Sequence, residues 1–249
     1  MQTRLSFPGG AAALLAVSLS TLCIAQNAPA PNRSRVQMVR VKPDMLNEWI
    51  DLQKNEVVPA LKKGGQTTRT VYQTNIGNAF EFLIVTPFTK YAEFDGDGAQ
   101  AKALGAVANA RLGEKQRKCL ESAANWILTQ MTPLSNITAG SPPPAKIIST
   151  RIRLGPGKMD DFQNLIKSDV LPAYKKVKVD LTVSIRGFGA NPNDVILTSP
   201  IGKYSDLDLQ NPLVRALGQE GLAKLLPRFM GVGTPIETVV RTRVADLSF

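Results

Sequence analysis

The chain has 249 residues, 43% of them hydrophobic and 20% charged, a formal net charge of +10, two cysteines and no histidine. This supports one large domain or two small ones and argues against a disordered chain. The missing histidine excludes a Ser-His or Cys-His nucleophile pair, a histidine-ligated haem and a histidine-containing zinc site.

Residues 1–25 read as a secretory signal peptide. Arg4 supplies a basic start, "AAALLAVSLSTLCIA" an apolar stretch, and Ala25 a small-residue cleavage point. The stretch is short for a transmembrane helix, and no later segment is apolar enough to span a bilayer. The expectation is an exported chain, periplasmic or extracellular, without stable membrane insertion. Cys23 leaves with the signal, so Cys119 has no partner for an internal disulfide and reads as structural. The basic residues are spread along the chain, so no nucleic-acid partner is expected.

Residues 26–34 form a Pro/Ala/Asn-rich linker, and the first folded unit spans 35–134. It opens on a strand in which Val39 and Val41 alternate with Met38 and Arg40. Asp44 is placed to cap the following helix, whose apolar face is Leu46, Trp49, Ile50, Leu52, Val57 and Leu61. "TTRTVYQTNIG" and "AFEFLIVTPF" read as a hairpin, 99–123 as a second helix, and "ANWILTQMT" as a closing strand. Residues 135–145, with three consecutive prolines, form a linker. The second unit, 146–249, repeats the order. Its strands are "IISTRIRL", "DLTVSIRGFG", "DVILTSP" and "ETVVRTRVAD", and its helices lie near 158–177 and 212–230.

The two units are copies. Pro59 in "VVPALKK" and Pro172 in "VLPAYKK" stand 113 positions apart. The same offset, applied without gaps, aligns Arg40 with Arg153, Pro87 with Pro200, Lys90-Tyr91 with Lys203-Tyr204, and Ala103-Leu104-Gly105 with Ala216-Leu217-Gly218. A β-α-β-β-α-β unit makes a four-stranded antiparallel sheet with both helices on one face. Two such units bury their open faces by pairing. The fold class is therefore α+β: two tandem ferredoxin-like modules pairing their sheets into an intramolecular barrel.

The helix segments "VKPDMLNEWIDLQKNEVVPALKK" and "LGPGKMDDFQNLIKSDVLPAYKK", with the hairpin ends "TPFTKYAEFD" and "SPIGKYSDLD", resemble the dimeric α/β-barrel superfamily, NIPSNAP-like and antibiotic-biosynthesis-monooxygenase-like members especially. The resemblance implies a ferredoxin-like barrel. It also implies a superfamily holding haem enzymes, cofactor-free monooxygenases, isomerases and proteins of unknown role. The haem branch typically uses a histidine, which this chain lacks.

Candidate site residues follow from strand alternation. Arg151 and Arg153 alternate with Ile152 and Leu154, and Arg241 and Arg243 with Val240, Thr242 and Val244. First and last strands are neighbours in this unit, so the four arginines fall on one face, with Arg186 joining from the second strand. Copy one supplies Arg40, and Tyr72 lies on its second strand. Like charges on adjacent strands repel. Either they hold a carboxylate or phosphate-bearing ligand, or they face solvent at the barrel rim or pair with Asp180, Asp194 and Glu237. The copies differ at Arg151 against Met38, Arg241 against Leu128 and Arg243 against Gln130. A second candidate is the repeated Lys90-Tyr91 and Lys203-Tyr204, either as an acid–base pair or anion clamp or, the favoured reading, as a structural tyrosine anchoring the loop. "LGPGK" lacks phosphate-loop spacing and "DGDG" lacks the rest of a calcium loop, so no metal and no cofactor are expected.

Three functions stay open: an exported small-molecule-binding protein with an anionic ligand in the barrel; a cofactor-independent monooxygenase or isomerase of a small aromatic or polyketide-like substrate; and a structural envelope protein without ligand. The chain is expected as a monomer or a homodimer of pseudo-dimers.

Overall fold

Eight strands close into one antiparallel barrel, four from each copy. The computed structural model describes residues 32–137 and 141–249; the expected signal peptide lies outside them. Copy one contributes β1 (Arg33–Val41), α1 (Leu46–Leu52), α2 (Val58–Lys63), β2 (Thr70–Ile76), β3 (Glu81–Phe88), α3 (Ala99–Cys119) and β4 (Leu120–Gln130). Copy two contributes β5 (Lys146–Leu154), α4 (Met159–Leu165), α5 (Leu171–Lys176), β6 (Thr182–Arg186), β7 (Asp194–Ile201), α6 (Pro212–Met230) and β8 (Gly233–Arg243). The order around the barrel is β1-β3-β2-β8-β5-β7-β6-β4. Each half has the ferredoxin-like arrangement, and the halves join at two seams, β2–β8 and β4–β6. Closure leaves no free sheet edge. Among the described residues no helix is long and apolar enough to cross a membrane.

Alternation sends one set of side chains outward under the helices and the other inward. In copy one, Val39, Val41, Phe82 and Ile84 meet Trp49 and Cys119. In copy two, Ile152, Leu154, Val183 and Val195 meet Phe162, Leu165 and Leu225. Removing either aromatic, Trp49 or Phe162, is worth about 3–5 kcal/mol.

The repeated proline does not break its helix. Gln53–Val57 and Ile166–Val170 are single π-helical segments just before Pro59 and Pro172. The N–H groups of Val58 and Leu171 reach back five residues, to the carbonyls of Gln53 and Ile166. A proline ring removes one donor and crowds the carbonyl four residues back; the wider turn accommodates it and the helix resumes.

Four expectations need correcting. Arg33 and Ser34 belong to β1, not to a linker. Asp44 is not a cap: Pro43–Met45 is a 3-10 turn and the helix starts at Leu46. The helix expected over 99–123 stops at Cys119, and Leu120 already pairs with Val41. The copies also do not align without a gap. Thr70 faces Val85, whereas Thr182 faces Thr198, the counterpart of Val85. So β2 and β6 are offset by 112 residues, the loop before β6 being one residue shorter and the β6–β7 hairpin one longer. Tyr72 is therefore the structural partner of Ser184, and Thr74 of Arg186.

Candidate functional site

The barrel is hollow. A cavity of about 680 Å³ occupies its interior. Copy one lines it mainly with apolar groups: Val36, Met38, Leu83, Val85, Ala124, Trp126 and Leu128. Copy two lines it mainly with polar ones: Ser149, Arg151, Asp180, Thr182, Ser184, Arg186, Thr198, Glu237 and Arg241; among the described residues Asp180 makes no ion pair with the arginines, contrary to the pairing considered for it. The proline-rich linker forms part of the wall through Pro142, Pro143 and Pro144. It is fastened there: the Tyr72 hydroxyl donates to the Pro144 carbonyl at 3.1 Å, and Arg243 Nη1 donates to the Pro143 carbonyl at 3.0 Å.

Two carboxylates organise the arginines. Asp194, only 1% exposed, begins β7 and faces Arg153 in register. It accepts from Arg153, from Arg186 Nη1 at 3.2 Å and from Arg151 Nη1 at 3.5 Å. Burial by itself raises the Asp194 carboxyl; the Arg153 hydrogen bond and the charges of Arg153, Arg186 and Arg151 outweigh it and hold the carboxyl below its usual range. Burial pulls the Arg186 guanidinium down from its ordinary value, and that group lies 4.1 Å over the Trp126 ring. Arg151 also approaches Glu237, at 3.7 Å.

Glu81 is the counterpart of Asp194 in copy one. It faces Arg40 across β1–β3 but is bound by Arg241 Nη2 at 3.0 Å, reaching over the β2–β8 seam, and by the Thr74 hydroxyl at 3.4 Å. Arg40 is therefore left over. Among the described residues it is the one cavity-lining arginine without a carboxylate within 4.0 Å, and its Nε is buried without a partner.

The barrel thus brings together Arg40, Tyr72, Arg151, Arg186 and Arg241 on its wall. Arg153 is engaged by Asp194 and Arg243 by the linker. Lys90-Tyr91 and Lys203-Tyr204 sit elsewhere, at the start of 3-10 turns outside the cavity, where Glu93 and Asp206 accept from the lysine backbone N–H groups. Sequence reasoning missed Glu81, the carboxylate that frees Arg40 by taking Arg241. The signal was its place opposite Arg40, matching Asp194 opposite Arg153.

Burial pushes the Tyr72 phenol up to about 12. It stays protonated and engaged with the linker, and among the described residues no three metal-ligating side chains cluster. With no histidine in the chain, the wall does not fit a histidine-held haem.

No family model matches the chain, and no curated protein is similar to it. Solved structures are similar. A monooxygenase candidate from Fusobacterium nucleatum superposes with a TM-score of 0.57 at 11% identity, over 87% of this chain and 94% of that one. An anthrone oxidase-like protein gives 0.56 at 12% identity, over 86% and 91%. A NIPSNAP family protein from Agrobacterium tumefaciens gives 0.36 at 15% identity, over 41% and 90%. The first two superpositions run nearly end to end on barrels of this architecture, and the chain has the dimeric α/β-barrel fold with both ferredoxin-like halves in tandem on one polypeptide.

Proposed function

We propose that the protein binds a small amphipathic anion inside the barrel. The apolar body lies against Met38, Leu83, Val85 and Trp126, and Arg40 meets the charge. The observation that carries this reading is Arg40, a cation on the wall of a hollow barrel whose opposing carboxylate is already taken by Arg241. Such a cation lacks a partner until an anion arrives. A hollow interior also supports ligand binding over a purely structural role.

Thermal-shift screening with bulky aromatic carboxylates, read as the rise beyond that given by malonate or inorganic phosphate, tests it. Ligand at a hundred times its Kd stabilises by about 2.7 kcal/mol, a rise of several degrees. Arg40→Gln is expected to remove that rise. No shift across the panel, or an equal shift in Arg40→Gln, overturns the proposal.

A second reading, oxidation of an electron-rich aromatic by dioxygen without a resident cofactor, is favoured by the Trp126 indole in the cavity wall. Two of the similar structures, a monooxygenase candidate and an anthrone oxidase-like protein, point the same way. Oxygen uptake with an anthrone supports it, and absence of uptake over a panel of quinols and anthrones removes it.

We also infer export, on the pattern of residues 1–25. N-terminal sequencing of the protein from its producing cells is expected to begin at Gln26; a chain beginning at Met1 contradicts it.

A further inference from the structure

A second cavity, of about 300 Å³, lies on the other side of the copy-one sheet, between it and the helices. Arg35 and Gln37 line it from β1, alternating with Val36 and Met38 of the barrel interior. No acidic residue lines it.

Its most buried polar residue is Arg69, 4% exposed. The Arg69 Nη2 donates to the Gln53 side-chain carbonyl at 2.7 Å, and Nη1 is buried with no partner. No carboxylate among the described residues forms an ion pair with the Arg69 guanidinium, although the Phe249 main-chain oxygen accepts from the Arg69 backbone N–H at 2.7 Å. Arg69 can only donate, which fixes the direction of the amide relay behind it. The Gln53 amide donates to Gln116 at 3.3 Å, Gln116 to Gln100 at 3.3 Å, and Gln100 to Asn109 at 2.8 Å. Each carbonyl in that relay accepts one hydrogen bond from the group before it, and the Arg69 Nη1 donor is left without a partner.

Copy two shows that the fold does not require this arrangement. At the places of Gln53, Arg69, Gln100 and Gln116 it carries Ile166, Leu181, Leu213 and Phe229, all part of one hydrophobic core. In copy one the corresponding core is split into two clusters. A buried cation with no counter-charge is destabilising on its own, and burial pulls the Arg69 guanidinium down to about 10.

We propose that this outer cavity is a binding site for a small oxyanion, a carboxylate or phosphate group, held by Arg69 and Arg35. It is separate from the barrel interior and stands whether or not the barrel binds a ligand.

The test is thermal denaturation and calorimetric titration with inorganic phosphate and with malonate, against sodium chloride at matched ionic strength. The wild-type chain is expected to rise in Tm with at least one oxyanion beyond the chloride control. The double variant Arg69→Leu/Gln53→Ile, which installs the copy-two residues, is expected to lose the rise. Arg40→Gln keeps it, which separates this site from the barrel. Should the double variant fail to fold by circular dichroism, Arg35→Gln decides: about ten-fold weaker oxyanion binding is expected for the loss of one charged donor, and unchanged binding overturns the site. No oxyanion-specific rise in the wild type, or an undiminished rise in a folded double variant, also overturns it.

Discussion

Arg40 and Arg153 hold equivalent places in the two copies, yet only Arg153 has a carboxylate. The difference comes from neighbours: Arg241, where copy one has Leu128, crosses a seam and takes Glu81. Alternation in the sequence was enough to place the arginines on one face. It did not assign their partners, because that depends on register across strands and seams. Asp194 is the residue on which three guanidiniums depend. Asp194→Asn leaves them facing one another, and the expected loss is about 3 kcal/mol, or roughly 10 °C in Tm. The pH dependence follows from the depressed carboxyl. A folded-state value below the unfolded one contributes stability above about pH 4. That contribution disappears as pH falls through the folded value. The acid limb of the stability curve is therefore expected to be steeper in the wild type than in Asp194→Asn; parallel limbs contradict the assignment. Arg69→Leu/Gln53→Ile is expected to raise Tm in the absence of oxyanion, by about 1–4 kcal/mol in stability, because apolar packing replaces an uncompensated buried charge.

Glycines of similar positive φ make different demands at the scale of elements. Gly105 and Gly218 break α3 and α6 at φ 74° and 72°, and a Cβ at either meets open space. Gly189, at φ 84°, follows β6, and a Cβ there would stand 2.2 Å from the Asn125 carbonyl of β4. Gly105→Ala is expected to cost about 1–2 kcal/mol for the backbone alone, which at φ 74° and ψ 169° only glycine adopts readily. Gly189→Ala adds a backbone clash on the β4–β6 seam and is expected to cost at least about 2–3 kcal/mol; equal Tm values in the two variants contradict this. The elements were largely legible because strand alternation and helix periodicity agree in both copies. The one-residue slip between β2 and β6 was not, since both strands are too short to reveal a shift by identity alone. The outer cavity had a readable trace, polar Gln53, Gln100 and Gln116 against apolar Ile166, Leu213 and Phe229. That trace lies where the copies differ, so the residues they share do not reveal it.

A barrel of two identical subunits must repeat its wall about the two-fold axis. Fusion removes that constraint, and here the wall is divided: mostly apolar from copy one, mostly polar from copy two. The linker that makes the fusion also closes part of the cavity, held by Tyr72 and Arg243. Tyr72→Phe is expected to cost about 1 kcal/mol through the lost bond to Pro144 and to speed ligand exchange in stopped-flow mixing; unchanged kinetics would detach the linker from access. Trp126 lies in the cavity wall, so its fluorescence reports occupancy directly. The most direct measurement is a fluorescence titration of the wild type and Arg40→Gln with a naphthoate-type carboxylate, using Trp126→Phe as the control. Saturable quenching is expected in the wild type, with loss of the signal in the control and about ten-fold or greater weakening in a folded Arg40→Gln protein. Quenching that does not saturate, or an unchanged Kd in Arg40→Gln, would contradict it.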